Sequence, residues 1–270
     1  MAQKERLDVV VTARGLFKSR SQAKRSIMAG LVYINDQQVD KAGTKIDPEA
    51  EIRVKGNLHP YVSRGGLKLE KAITEFNLDL TGKLVIDIGA STGGFTDCAL
   101  QNGASKVYAI DVGYNQLAWK LRSDERVISM ERTNARYLTP DDLEEVGDLG
   151  TIDVAFISLT KILPALKGLL KPAGEIIALI KPQFEAGPDR VDNNGVVKEP
   201  AIHQEVITKI CSFAQEIALS PIELSYSPIT GGKGHNIEYL VHLTLDHQKE
   251  IDSLATKIKD VVAEAHQALD

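Results

Sequence analysis

The chain has 270 residues, with 43% hydrophobic and 26% charged content, ordinary for a globular protein of one large domain or one medium and one small. Its net charge of −5 is unevenly spread: residues 1–56 carry eleven Lys/Arg against seven Asp/Glu, a balance of +4, while the remainder stands at −9. No apolar run approaches the length needed to cross a bilayer, Met1-Ala2-Gln3-Lys4-Glu5-Arg6 leads into no signal-peptide core, and the two cysteines, Cys98 and Cys211, have no metal-like spacing, so a cytoplasmic, reduced protein without metal is expected.

Residues 6–14 place Leu7, Val10 and Val11 at helical spacing and stop near Gly15. Ser19-Arg20-Ser21-Gln22 fits a capping box that opens a second helix, and Gly30 closes it as a left-handed cap. Short strands follow at Leu31–Ile34, around Val39, and at Ile52–Val54 after Asp47-Pro48. Two helices and small strands predict a compact α+β module over residues 1–56. Arg6, Arg14, Lys18, Arg20, Lys24 and Arg25 make it basic and are the candidate contacts to a polyanion; the alternative is a solvated charged face. Phe17 and Tyr33 could stack on a base or belong to the core. Residues 57–62 read as a connector, since Pro60 disfavours helix before it, and His59 is most simply a linker residue.

Residues 63–270 alternate strand and helix. Leu84–Ile88 reads as a buried strand, and Gly89-Ala90-Ser91-Thr92-Gly93-Gly94-Phe95 as a tight turn into a helix. A second apolar run, Val107–Ile110, ends on Asp111, the layout of a nucleotide-type site with a carboxylate for a ribose diol. Ser91 replaces the second glycine of a dinucleotide fingerprint and obstructs a pyrophosphate, so S-adenosylmethionine, which has none, suits the turn better. Gly89, Ser91, Gly93 and Gly94 would shape the turn, Asp111 would accept the ribose hydroxyls, and Asn134 would contact the adenine amino group or simply cap the next segment. Asp87 reads as a residue steadying the turn.

Further strands are expected at Val127–Met130, Ile152–Phe156, Glu175–Ile180, Ile222–Ser225 and Ile237–Leu243. Helices are expected at Phe95–Gln101, Gln116–Leu121, Leu163–Leu170 and Ala201–Ile217, and an amphipathic one after Gln248 that packs on the sheet. The fold class is therefore α/β: a Rossmann-like methyltransferase sheet, expected to be parallel, with helices on both faces, plus the small N-terminal α+β domain. Asp153 and Lys181 fall at strand ends, where a lysine is costly unless it has a partner or a task. Lys68 lies on a helix beginning beside the cofactor turn, and Glu238 begins an otherwise apolar strand.

Arg6-Leu7-Asp8, Ser19-Arg20-Ser21-Gln22-Ala23 and Ala29-Gly30-Leu31-Val32-Tyr33-Ile34-Asn35-Asp36 resemble the S4-type RNA-binding domain. The series Lys68, Asp153, Lys181, Glu238 resembles the tetrad of FtsJ-like ribose 2′-O-methyltransferases. With Ser63-Arg64-Gly65-Gly66, Asp111-Val112-Gly113-Tyr114, Glu131-Arg132-Thr133-Asn134-Ala135-Arg136, Phe156-Ile157-Ser158-Leu159 and Lys181-Pro182-Gln183-Phe184, the whole chain resembles the TlyA family of haemolysin-A-like rRNA 2′-O-methyltransferases. Ala155 stands where that family usually has Ser, and His235 interrupts its Gly-Asn-x-Glu string. The resemblance implies methylation of a ribose, of cytidine, in rRNA, with the large subunit favoured and the small subunit as the alternative or additional target. It further implies S-adenosylmethionine as donor, rRNA or ribosomal subunits as partners, and neither membrane nor catalytic metal. The competing readings are a non-catalytic RNA-binding factor and a haemolysin.

Overall fold

The computed structural model describes residues 4–17, 19–28, 30–54, 60–231, 236–246, 251 and 253–269; Lys18, connector residues 57–59 with His59, His235 and Gln248, all singled out in the sequence, lie outside them. The backbone divides into two compact units, Met1–Pro60 and Tyr61–Asp270.

The first unit runs β1 (Glu5–Arg6), α1 (Leu7–Ala13), α2 (Arg20–Met28), β2 (Val32–Ile34), β3 (Gln37–Val39), β4 (Lys45–Ile46) and β5 (Ile52–Val54). A three-stranded antiparallel sheet orders as β3-β2-β5, and β1 pairs with β4. Ser19 caps α2, its Oγ accepting from Gln22 N at 3.2 Å, and Gly30 takes a positive φ. The helices bury Leu7, Val10, Val11, Ala23 and Ile27 against Val32 and Ile46. Phe17 is part of this core, which removes it as a base-stacking candidate.

The second unit continues with α3 (Gly66–Glu75), β6 (Leu84–Ile88), α4 (Gly94–Gln101), β7 (Lys106–Ile110), α5 (Trp119–Arg122), β8 (Val127–Met130), β9 (Gly147–Ile152), α6 (Leu163–Gly168), β10 (Leu170–Ile180), α7 (Pro182–Glu185), α8 (Pro200–Glu216), β11 (Ser220–Tyr226), β12 (Tyr239–Thr244) and α9 (Leu254–Leu269). The seven strands order as β11-β12-β10-β9-β6-β7-β8. Side chains alternate along β6: Ile86 and Ile88 join the core beneath α6, α8 and α9, and Val85 joins the core beneath α3 and α4. Both faces are thus covered, and α9 packs on the sheet through Ile258, Val261, Val262 and Ala265.

The expectation of a parallel sheet needs correcting. β12 runs antiparallel to both β10 and β11; a parallel partner needs a crossover, usually helical, and no helix lies between β11 and β12 among the described residues. The strand expected at Ile152–Phe156 instead spans Gly147–Ile152, so Asp153 begins the loop beyond it. Tyr61 and Val62, expected in the connector, pack within the second unit: the buried Tyr61 donates its hydroxyl to Glu70 at 2.7 Å, and Val62 N donates to Asp97 at 2.9 Å.

Candidate active site

Parallel strands bring their carboxyl ends to one edge of the sheet, and the loops there build the site. Between β6 and α4 the chain must pass under the β9 loop. A Cβ on Gly89, at φ +84°, would lie 2.5 Å from the Asp153 carbonyl oxygen, so any other residue would push the two strand ends apart. Gly94 meets α3 as closely, since a Cβ there would stand 2.3 Å from Ser63 Oγ and 2.8 Å from Gly66 N. Asp87 is fully buried and accepts from Thr96 Oγ1 at 2.6 Å and Thr151 Oγ1 at 2.9 Å, tying β6 to α4 and β9. Burial pushes its pKa up to about 6 against those hydrogen bonds.

Two cavities meet at this turn, both touching Gly89, Ser91, Asp153 and Ala155. The larger, about 640 Å³, is lined on its other sides by Ser63, Arg64, Lys68, Gly94 and Thr230. The second, about 480 Å³, has apolar walls of Ile88, Ile110, Ile157 and Ile162, with Asp111 and Asn134 among its polar groups beside Gln116, Thr133 and Arg136. The Asp111 carboxylate is held in place by Ser91 N and Gly113 N, each at 2.7 Å, one on each oxygen. Each oxygen keeps a further lone pair, so the pair can accept from a diol. Asn134 caps the next segment, its Oδ1 accepting from Arg136 N at 3.2 Å, and it also lines this cavity. A nucleoside-sized apolar slot with a fixed carboxylate and an amide fits S-adenosylmethionine. Ser91 takes a positive φ at the mouth shared by both cavities.

The four charged residues come together although they lie up to 170 positions apart. Lys68, on α3, donates to Glu238 Oε2 at 2.6 Å and to Asp153 Oδ2 at 3.1 Å. Lys181, directly after β10, donates to the other oxygen of Asp153. The result is a line of alternating charge, Glu238–Lys68–Asp153–Lys181, neutral in sum. Lys68, Lys181 and Glu238 are all less than a tenth exposed; Asp153 is the most accessible member, its side chain 19% exposed. Burial alone would lower the Lys68 pKa, but Asp153 and Glu238 outweigh it and raise it, so Lys68 stays an ammonium. Asp153 is likewise resisted by burial, yet its two lysines hold it below the usual carboxylate range. Lys181 lines neither cavity and reaches the site through Asp153; with one carboxylate partner against two for Lys68, it has more donor capacity left.

Sequence reasoning missed two neighbours of this line. Glu185 is buried at the end of α7, accepting from Ser158 Oγ and Leu159 N at 2.7 Å each, so it ties the segment after Lys181 to the loop after Asp153. Phe156, in that loop, has φ +63° and is 90% exposed, with its ring 5.0 Å from that of Phe184. A glutamate one turn beyond a strand-end lysine was the available signal for the first; a left-handed phenylalanine leaves none.

Within the first unit, Arg6 and Arg20 share Asp8. Arg6 Nε stands 2.9 Å from Oδ1 and Arg20 Nε 2.9 Å from Oδ2; the carboxylate is fully buried while both guanidinium-bearing side chains are about half exposed. Arg6 foremost, and Arg20 with it, hold Asp8 below the ordinary carboxylate range. Lys24 and Arg25 are exposed on α2. Arg14 is exposed but donates to the carbonyls of Pro48 and Ala50, an anchor for that turn.

A sequence profile described as FtsJ-like methyltransferase matches residues 61–245, and one described as S4 domain matches residues 5–52. The chain belongs to the FtsJ-like methyltransferases. Within them it falls in the TlyA family: it is 40% identical over 266 residues, 98% of each chain, to the 16S/23S rRNA (cytidine-2′-O)-methyltransferase TlyA of Mycobacterium tuberculosis. YqxC of Bacillus subtilis is 54% identical over 271 residues, 99% of this chain and 96% of its own. A solved structure from Streptococcus thermophilus is 51% identical with a TM-score of 0.78, covering 99% of this chain and 98% of that one. As a member of this family the chain uses S-adenosylmethionine as methyl donor. Among the described residues no helix is long and apolar enough to cross a membrane, and no group of three His, Cys, Asp or Glu side chains is placed to hold a metal ion.

Proposed function

We propose that the protein transfers a methyl group to the 2′-oxygen of a cytidine ribose in rRNA, in the large subunit and also the small, working in the cytoplasm where ribosomal subunits are assembled. The observation that carries this reading is the line Glu238–Lys68–Asp153–Lys181 beside the glycine turn, in a chain that matches a cytidine-2′-O-methyltransferase over its length. Asp111 would hold the ribose of S-adenosylmethionine, Asn134 the adenine, and Gly89, Ser91, Gly93 and Gly94 the backbone approach. When bound, the cofactor supplies a methyl group on a sulfonium, electrophilic enough to need only in-line alignment.

A ribose hydroxyl is a poor nucleophile near neutral pH. Lys181 donates a hydrogen bond to the 2′-oxygen and places positive charge beside it, which stabilises negative charge on that oxygen as its proton passes to solvent water in the open cavity. Asp153 fixes the Lys181 amine in position, and Lys68, locked between two carboxylates, fixes Asp153. The N-terminal unit supplies RNA affinity through Arg6, Arg20, Lys24 and Arg25, whose phosphate contacts position rather than read sequence.

Incubation with labelled S-adenosylmethionine and purified ribosomal subunits, followed by digestion to nucleosides, tests this directly. Label should appear in 2′-O-methylcytidine. Label on a base, or none in the presence of tight RNA binding, would leave a binding factor with an inherited fold.

A further inference from the structure

Seven large hydrophobic side chains are exposed among the described residues, and five of them come from the segments that follow β7, β8 and β9: Val112, Tyr114 and, at the start of α5, Trp119 after β7, Tyr137 after β8 and Phe156 after β9. Val112 and Phe156 line the smaller cavity, Tyr137 follows its lining residue Arg136, Tyr114 follows Val112 by two residues, and Trp119 follows Ala118, which is hydrogen-bonded to Thr92 of the larger cavity. Exposed apolar groups concentrated in this way mark a surface that meets something. Two are paired with arginines: the Arg132 guanidinium carbon lies 4.0 Å from the Tyr114 ring centre, and that of Arg136 lies 5.3 Å from Tyr137.

This arrangement is built in advance. Arg132 N donates to Gly113 O and Thr133 N to Asp111 O, both at 2.9 Å, clamping the β8 loop onto the β7 loop. Arg132 takes φ +54° and Asn115 φ +57°, conformations that cost a non-glycine residue energy unless the surroundings impose them. The two acids that flank these ring–arginine pairs are occupied: Asp111 by two backbone amides, Glu131 by Arg122 and by Gln116 N. Arg132 and Arg136 have no carboxylate partner among the described residues, so two guanidinium groups beside exposed rings are left to pair with an anion. Trp119 opens α5 next to Ala118, whose N donates to Thr92 O at the lip of the larger cavity.

We propose that these loops form a track for single-stranded RNA, on which the bases flanking the target nucleotide stack. The proposal rests on the RNA-methylating reading above and extends it to a surface of the catalytic unit. Aromatic faces take any base, and arginines beside them attract the phosphates and stack in turn, which is the chemistry of sequence-tolerant single-strand binding. Continuity with the cavity through Val112, Arg136 and Phe156 puts the track where the chain on either side of a target ribose must pass.

Trp119 is the only tryptophan in the chain and is 77% exposed, so its emission reports on this patch alone. The full chain, saturated with S-adenosylhomocysteine, is titrated with a single-stranded oligocytidylate. Stacking should quench the emission saturably, and Trp119→Ala should raise KM for RNA about tenfold with kcat at saturating RNA and cofactor affinity unchanged, while Trp119→Phe restores KM. Unquenched emission with oligonucleotide bound, or a blue shift on anionic phospholipid vesicles without any response to RNA, would overturn the track and assign the patch elsewhere. Quenching, together with no methyl transfer from S-adenosylmethionine to ribosomal subunits in a separate assay, would uphold the track and sink the reaction, so the two readings fail separately.

Discussion

Both units place one carboxylate between two cations, and they use the arrangement in opposite ways. In the catalytic unit Asp153 joins Lys68 and Lys181, a second carboxylate, Glu238, cancels the remaining charge, and both lysines and Glu238 are less than a tenth exposed. In the N-terminal unit Asp8 joins Arg6 and Arg20, no second acid is added, and the two arginine side chains remain 46% and 52% exposed. The first is closed and neutral, so its strength goes into holding groups still. The second is open and carries net positive charge, with the carboxylate aiming two guanidinium groups outward. Burial separates a device for chemistry from one for binding, because a charge pair sealed from water is strong and rigid, while an exposed one stays available to a phosphate.

The comparison breaks most decisively at Asp153. Asp153→Asn leaves both lysines without their shared counter-ion, one of them still facing Glu238, and should cost about 3 kcal/mol in stability as well as activity. Urea unfolding and an initial-rate assay read the two effects. A variant as stable and active as the parent would mean that the ion line is incidental. Next in size is Glu185→Ala, which frees the Ser158 hydroxyl and Leu159 amide inside the protein and should lose about 1–3 kcal/mol. Because Phe156 sits in the loop that Glu185 anchors, KM for RNA should rise more than kcat falls, and Glu185→Gln should recover most of the loss.

The N-terminal half of the comparison is sharpened by Asp8→Asn. Removing an acid from a basic surface would by charge alone strengthen RNA binding. If Asp8 aims the arginines, affinity should instead fall about three- to tenfold, a cost of the order of one hydrogen bond to a charged group, measurable by filter binding at fixed salt. Tighter binding would show that net charge, not orientation, matters there. The smallest effect is expected from Arg14→Ala, whose guanidinium is committed to the Pro48 and Ala50 carbonyls. It should lower the melting temperature by a few degrees and leave the salt dependence of RNA binding unchanged, whereas Lys24→Ala should reduce that dependence by about one unit.

Much of this was legible from residues alone where local chemistry is unusual. A lysine after Ile180 and a glycine turn after Ile88 each contradict the apolar strand before them, Asp153 interrupts the apolar run that starts at Ile152, and the fold gathers them. Strand direction was not legible: the apolar run of β12 reads the same whichever way the strand runs, and only its register with β10 and β11 shows it antiparallel. The start of β9 was hidden because Gly147-Asp148-Leu149-Gly150 lacks β-branched residues. Gly150 is required there, since a Cβ would stand 2.6 Å from Leu166 Cδ2, a constraint visible only once α6 is packed. Asp8 gave no sign of its role because Arg6 and Arg20 lie two and twelve residues away, a spacing with no period. Tyr114, Trp119 and Tyr137 likewise look like core residues until their exposure is known.

The central claim is that Lys181, held by Asp153, makes a ribose oxygen reactive. Single-turnover methyl transfer by Lys181→Ala, at saturating RNA and S-adenosylmethionine, with cofactor affinity measured alongside by calorimetry, tests it most directly. The expected result is a rate lower by about a hundredfold or more with cofactor affinity preserved. Methyl transfer at the parent rate would contradict the claim.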